Sequence, residues 1–293
     1  MTAQHEAAVA DAPAAAAHPR LSLNQATVKH APLARALEVA VAAGIPSIGL
    51  WREPVADVGL DAARRLVDAS GLRVSSLCRG GFFTAVEGPA RRAALDANRR
   101  ALDEAAALGA PELVLVAGGL PDGSRDLVGA RGRVQDALAE LVAHAERTGV
   151  RLAIEPLHPM YASDRAVVST LAQALDLAAP FAAEAVGVVV DAFHVWWDPE
   201  VLAGIARAGS ERRIASYQVC DWATPLPADV LLARHLPGDG VIDLPALTRA
   251  VREAGYAGDV EVEVFHQAVW DEDPATVASR VVRSFAEHVA PHL

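Results

Sequence analysis

Short runs of β-branched and other apolar residues recur along the chain, separated by longer Ala-, Leu- and Arg-rich stretches of helical character. Eight runs read as strands: Leu21 to Asn24, Ser47 to Trp51, Arg73 to Arg79, Glu112 to Ala117, Arg151 to Pro156, Gly187 to Asp191, Ile214 to Val219 and Asp259 to Phe265. Gly44, Gly71, Gly109 and Gly149 each close one of the intervening stretches. Glycine just past a helix end tolerates the left-handed conformation that stops the helix. Strands alternating with helices predict parallel pairing through right-handed crossovers. Eight such units predict an α/β fold, a single (β/α)8 TIM barrel. The rival is an open doubly wound sheet, whose GxGxxG phosphate loop after the first strand is missing.

Length and composition narrow this picture. A barrel takes roughly 250 residues. The chain has 293, so one domain over residues 20–293 fits, preceded by an Ala-rich tail over 1–19 that reads as disordered. Hydrophobic residues make up 52% of the chain, enough for a large core. With 26 Lys+Arg against 37 Asp+Glu the net charge is −11, which argues against a nucleic-acid partner needing a basic face. No apolar run reaches the roughly 18 residues of a membrane helix. The first basic residue is Arg20, so the start does not read as a secretory signal. The two cysteines, Cys78 and Cys220, give no disulfide framework and read as packed residues. A cytoplasmic location is expected.

Parallel barrels carry their chemistry at the C-terminal strand ends. There the sequence places Glu155, Asp191, Glu261 and Glu263, with His158 and His194 on the adjoining loops and Gln218 on strand seven. Burying Glu155, Asp191 and Glu263 together costs desolvation and mutual repulsion, which a divalent cation would offset. Oxygen donors favour Mg²⁺ or Mn²⁺, and imidazoles would move the site toward Zn²⁺ or Co²⁺. Each residue also has a plain structural reading. A lone strand-end Glu is usually an exposed ion-pair partner, and Asp191 can cap the next helix.

The segments Ile154-Glu155-Pro156-Leu157-His158-Pro159, Val190-Asp191-Ala192-Phe193-His194, Pro237-Gly238-Asp239-Gly240-Val241-Ile242-Asp243 and Gly255-Tyr256-Ala257-Gly258 with Glu263-Val264-Phe265 resemble the xylose-isomerase-like superfamily of sugar isomerases, epimerases and inosose-processing enzymes. The resemblance runs over roughly residues 20–290. It implies a metal held by Glu155, Asp191, the strand-seven position and Glu263, and substrate contacts from His194 and Arg234. It also implies a protein compatible with a homo-oligomer. Two positions depart from the pattern. Gln218 stands where the family usually has a histidine, and Tyr161 stands where ketose 3-epimerases carry a second Glu.

The expected ligand set is therefore Glu155, Asp191, Gln218 and Glu263, with Mn²⁺ ahead of Mg²⁺, Co²⁺ or Zn²⁺. Gln218 is expected to point inward, with Cys220 facing outward. Glu261 and Glu263 share a face, and the resemblance selects Glu263 as the ligand. Glu155 and Glu263 are the expected proton-transfer groups. His194, Arg234, His158, Trp51 and Arg79 are expected substrate contacts; His158, Trp51 and Arg79 read equally well as packing residues or as contacts. Arg52-Glu53 reads as solvated surface. The expected activity is metal-dependent isomerisation or epimerisation of a small, unphosphorylated sugar or polyol through an enediolate. Two alternatives stay open: a lyase acting on a keto-sugar, inosose or keto-glycoside, and a non-catalytic sugar-binding or subunit role.

Overall fold

The computed structural model describes residues 17–293. Its sheet is a closed barrel in the order β1-β10-β7-β6-β5-β4-β3-β2, with every neighbouring pair parallel. The barrel strands are β1 (Leu21–Asn24), β2 (Ser47–Trp51), β3 (Arg73–Gly81), β4 (Glu112–Val116), β5 (Arg151–Glu155), β6 (Val186–Asp191), β7 (Ile214–Val219) and β10 (Val260–Val262). The eight runs expected from the sequence are the eight barrel strands. Two further short strands, β8 (Asp221–Trp222) and β9 (Arg234–His235), pair antiparallel outside the barrel. The tail expected over 1–19 lies, for residues 1–16, outside the described residues. His18 leads into β1, its carbonyl accepting from the Leu21 amide and its ring packing on Phe285.

Alternation along the strands explains both core and site. Leu21, Leu23, Leu113, Leu115, Leu152, Ile154, Val188, Val190, Tyr217, Val219, Val260 and Val262 are buried in the main core. Side chains of successive strand residues point to opposite faces, so the residues between them form the inner series. Its members become polar toward the strand ends: Asn24, Glu155, Asp191, Gln218 and Glu263. Below these, Cys78, Val114, Ala153, Val189 and Ala215 form a small apolar cluster separate from the main core.

The longest helices, Pro89–Leu108 and Leu127–Thr148, stop at Gly109 (φ 73°) and Gly149 (φ 71°). The last barrel strand is shorter than its apolar run because Thr27 replaces the ladder. The Thr27 hydroxyl donates to the Val262 carbonyl and accepts from the Val264 amide, while the Glu263 amide still donates to the Val219 carbonyl at 3.2 Å, so Val264 and Phe265 leave the sheet at the mouth. No helix among the described residues is long and apolar enough to cross a membrane.

Candidate active site

The inner series ends in a buried acid cluster. Asp191 is fully buried, and Glu155 and Glu263 nearly so. Asp191 divides its two oxygens. Oδ1 accepts from the Phe193 amide at 2.8 Å, capping the short helix Ala192–Val195. Oδ2 lies 2.8 Å from Arg234 Nη1, yet accepts no hydrogen bond, so that contact is ionic and off the N–H line. The same Nη1 lies 3.0 Å from Glu263 Oε2. One guanidinium thus stands between two of three carboxylates.

The outer ladder sets Arg234 in place. Asp221 accepts from the amides of Trp222, Gly238 and Ile242 at 2.9, 3.0 and 2.9 Å. This wraps the Pro237–Asp243 segment around one carboxylate. A Cβ on Gly240 would stand 2.5 Å from Asp221 Oδ1, so the glycine is needed for close approach. Asp221 is therefore a loop anchor, and the segment around it carries β9 and Arg234 to the barrel mouth.

Electrostatics follow from burial. Burial, then Asp191 and Glu263, pushes the Glu155 carboxyl well above the usual range. Burial raises Glu263 to about 8 even against the pull of Arg234. Burial works against the charge on Arg234, but Asp191, Cys220 and Glu263 hold its pKa well above the ordinary arginine value. His194 is pushed well below its ordinary value by burial and then by Arg234. It is neutral and carries one N–H. The His158 backbone N–H is aimed at His194 Nδ1 and Arg234 Nη2 at His194 Nε2, each at 3.1 Å. That nitrogen lies 3.8 Å from Asp191 Oδ2 and 4.0 Å from Glu155 Oε1.

Beneath Glu263, Glu261 is fully buried and serves a different set of partners. It accepts from Ser75 Oγ at 2.7 Å, Asn24 Nδ2 at 2.8 Å and Gln218 Nε2 at 3.3 Å. Gln218 spends its N–H on Glu261, and its buried Oε1 has no partner. In the ladders Gln218 stands beside Asp191 on one side and Glu261 on the other.

Above the acids opens a cavity of about 440 Å³ lined in part by Trp51, Arg79, Glu155, His194, Arg234 and Glu263. Trp51 is anchored by its indole N–H on Asn24 Oδ1 at 2.8 Å and packs edge-on against Phe265. The Arg79 guanidinium lies over Phe82. His158 differs from the other expected contacts: its ring packs on Trp197 and Trp222, outside the cavity lining. Its contribution is the backbone N–H aimed at His194 Nδ1. Cys220 corrects an expectation. Its sulfur lies 3.7 Å from Arg234 Nη1, on the same side as Gln218, because residues two apart in extended chain share a face. Arg52 is paired with Glu104 at 2.5 and 2.9 Å, and Glu53 lines the cavity, so this pair is not simply solvated surface. Tyr161 and Arg165 were not singled out as contacts from the sequence, yet both line the cavity. Tyr161 stands edge-on to His194. Tyr161 was marked in the sequence only as a departure from the family pattern, and the only signal for Arg165 is its position on the loop after β5.

The chemistry of the donor set fits a divalent cation. Three buried carboxylates face one guanidinium, and Asp191 Oδ2 and Gln218 Oε1 lack hydrogen-bond donors. Among the described residues, Glu155, Asp191 and His194 also bring candidate ligand atoms within 4.8 Å of one another. His194 Nε2, 3.8 Å from Asp191 Oδ2 and 4.0 Å from Glu155 Oε1, is the nitrogen donor of that group.

The family model described as a xylose isomerase-like TIM barrel matches residues 37–287. The chain belongs to this family. Within it, the inosose isomerase of Bacillus subtilis (strain 168) is 32% identical over 133 residues, 44% of this chain and 45% of that protein. The match thus spans less than half the length of the curated relative. The solved structure of protein SMc04130 from Sinorhizobium meliloti 1021 is 46% identical, covering 92% of this chain and 98% of that one with a TM-score of 0.88. The IolI protein, solved with a zinc atom bound, shares the fold at 22% identity, with 94% and 99% coverage and a TM-score of 0.80.

Proposed function

We propose that this barrel is a divalent-metal-dependent isomerase or epimerase of a small unphosphorylated sugar or polyol, working in the cytoplasm by proton transfer through an enediolate. The observation that carries the reading is the buried trio of carboxyl groups Glu155, Asp191 and Glu263 at the floor of an open cavity, with a single guanidinium set between two of them. The inosose isomerase relatives support the isomerase class over their matched portion.

Glu155, Asp191 and Glu263 would hold the cation, with Gln218 Oε1 as the fourth oxygen. An all-oxygen set favours Mn²⁺ or Mg²⁺ over Zn²⁺. When bound, such an ion supplies Lewis-acid polarisation of a carbonyl and so acidifies the neighbouring C–H. Glu155 on β5 and Glu263 beyond β10 lie on walls separated by β6 and β7, which suits one group to remove a proton and the other to return it. His194 lines the cavity beside Glu155 and Asp191, where its ring can bind a substrate oxygen. Trp51 gives a flat face for sugar C–H surfaces, and Arg79 contributes a donor at the rim.

The test is incubation of the Mn²⁺-loaded protein with a panel of ketoses and keto-polyols in D₂O, read by mass. Deuterium gain at constant skeleton is expected. Loss of water or of an aglycone would replace the isomerase reading with a lyase. No exchange with any member, together with stoichiometric metal in Glu155→Ala and Asp191→Ala, would remove the metal-enzyme reading.

A further inference from the structure

Arg234 is oddly placed for a residue whose task is to hold substrate. Its Nη1 sits against Asp191 Oδ2 and Glu263 Oε2 at 2.8 and 3.0 Å, two oxygens of the ligand set proposed above. It is also poorly bonded there. Neither carboxylate accepts an aligned hydrogen bond from Nη1, whose hydrogens reach only Cys220 Sγ at 3.7 Å and the Glu263 carbonyl at 3.4 Å. Its Nε is buried without a partner. Its Nη2 reaches His194 Nε2 at 3.1 Å and neither carboxylate. A guanidinium normally pairs with carboxylates through a fork of aligned N–H groups. Here the two carboxylates hold it by charge, without that fork.

Resting on the metal reading above, we propose that Arg234 is a resident cation that occupies the metal-free acid cluster, competes with the divalent ion, and is released toward substrate when that ion binds. The metal takes over the charge on Asp191 and Glu263. Arg234 then has somewhere to go: it already lines the cavity, and the rings of Phe193 and Phe265 lie 4.7 and 5.4 Å from its Cζ, so it stays desolvated over aromatic faces. Metal loading and substrate binding become ordered. Without metal, the guanidinium is held down among the acids and the cavity lacks its deepest free donor. With metal, the donor is released. Two ligands that each favour the same arrangement of Arg234 assist one another reciprocally.

The experiment is Mn²⁺ titration of metal-stripped wild type, Arg234→Ala and Arg234→Lys by calorimetry, repeated with 5–20 mM guanidinium chloride (about the range below denaturing effects) against NaCl of equal ionic strength. Arg234→Ala is expected to bind Mn²⁺ about tenfold tighter or more, inside the roughly 5- to 150-fold span of typical ligand coupling. Free guanidinium should then weaken Mn²⁺ binding to Arg234→Ala competitively, by refilling the vacated position, and leave wild type unchanged. Arg234→Lys keeps the charge without the reach and should fall between the two; it carries the test if the alanine variant fails to fold. Binding no tighter in either variant, or a guanidinium effect equal to that of NaCl, overturns the competition while leaving the metal reading intact. If no protein of the series binds Mn²⁺, both readings fall together.

Discussion

Glu261 and Glu263 lie on one face two residues apart, and substituting each should give opposite results. Glu261 serves three neutral donors. Replacing it with leucine strands Asn24 Nδ2 and Gln218 Nε2, which have no other acceptor, whereas the Ser75 hydroxyl keeps Ser22 Oγ at 2.7 Å. Two buried donors at about 1–3 kcal/mol each give roughly 2–6 kcal/mol, against a total stability of roughly 5–15 kcal/mol. At about 2–4 °C per kcal/mol for a chain of this size, the metal-free protein should melt roughly 5–20 °C lower. Glu261→Gln is milder, because the amide keeps one oxygen for Asn24 and Gln218 while Ser75 reverses and accepts from its nitrogen. Glu261→Gln should also retain stoichiometric Mn²⁺. Glu263→Gln should do the reverse, keeping or gaining stability at neutral pH, where its carboxyl is buried and raised to about 8, and losing the metal. Scanning calorimetry of stripped protein and elemental analysis after Mn²⁺ reconstitution read both properties. Glu261→Gln emptying the site while Glu263→Gln keeps it filled would refute the assignment. An unchanged melting point in Glu261→Leu would refute the network energetics.

Glu112, buried at the start of β4, has its carboxyl pushed well above the usual range by burial and then by Glu261. A carboxyl raised in the folded state costs stability as pH climbs from its unfolded value toward its folded one, at about 1.4 kcal/mol per unit of displacement. Glu112→Gln should therefore melt like wild type at acid pH and above it at neutral pH; a gain confined to acid pH would contradict this. Trp51→Ala should raise KM by roughly 2- to 12-fold, from about 0.5–1.5 kcal/mol of aromatic contact, with kcat little changed; a fall in kcat at constant KM would place Trp51 elsewhere in the reaction. A phosphorylated sugar should be a poorer substrate by kcat/KM than its free form, since the acidic segment Gln267–Asp273 offers no glycine nest at loop eight. Gln218→His should tighten Zn²⁺ relative to Mn²⁺, and an unchanged metal ranking would put residue 218 outside the coordination shell.

The barrel was legible because its signal is periodic and redundant. Continuous apolar runs such as Leu113-Val114-Leu115 and Val188-Val189-Val190 recur between helical stretches, as strands buried on both faces do, and a boundary error of a residue or two leaves the order intact. The outer ladder was not legible, because Asp221–Trp222 and Arg234–His235 are two residues each and show no periodicity. Arg234 could be singled out by its spacing from Pro237, but its position between Asp191 and Glu263 exists only once β9 is folded over β7. The outward placement expected for Cys220 was an error of alternation, since it shares parity with Gln218. His158 was legible as a site residue but not by role: a ring between Trp197 and Trp222 and a working backbone N–H look alike in sequence.

What makes Gln218 suitable for an oxygen site is decided below it. An amide is ambivalent, able to present either its oxygen or its N–H₂ group to a cluster of acids. Presented to Asp191, the N–H₂ group would offset negative charge and weaken any demand for a cation. Glu261 removes that choice. Its carboxyl stands beside Gln218 in the next strand, accepts from Nε2 and leaves Oε1 as the unpaired end. The position beneath must in turn be roomy enough for Glu261, and Gly49 supplies that: a Cβ there would lie 2.6 Å from Glu261 Oε2. Gly49, Glu261 and Gln218 thus form one dependency. A small residue on β2 admits a buried acid on β10, and that acid fixes the amide on β7. An imidazole at position 218 would coordinate through a nitrogen and draw no such benefit from Glu261. The polar column under the site is therefore part of what keeps its donors oxygen, and the metal ranking of Gln218→His reads it directly.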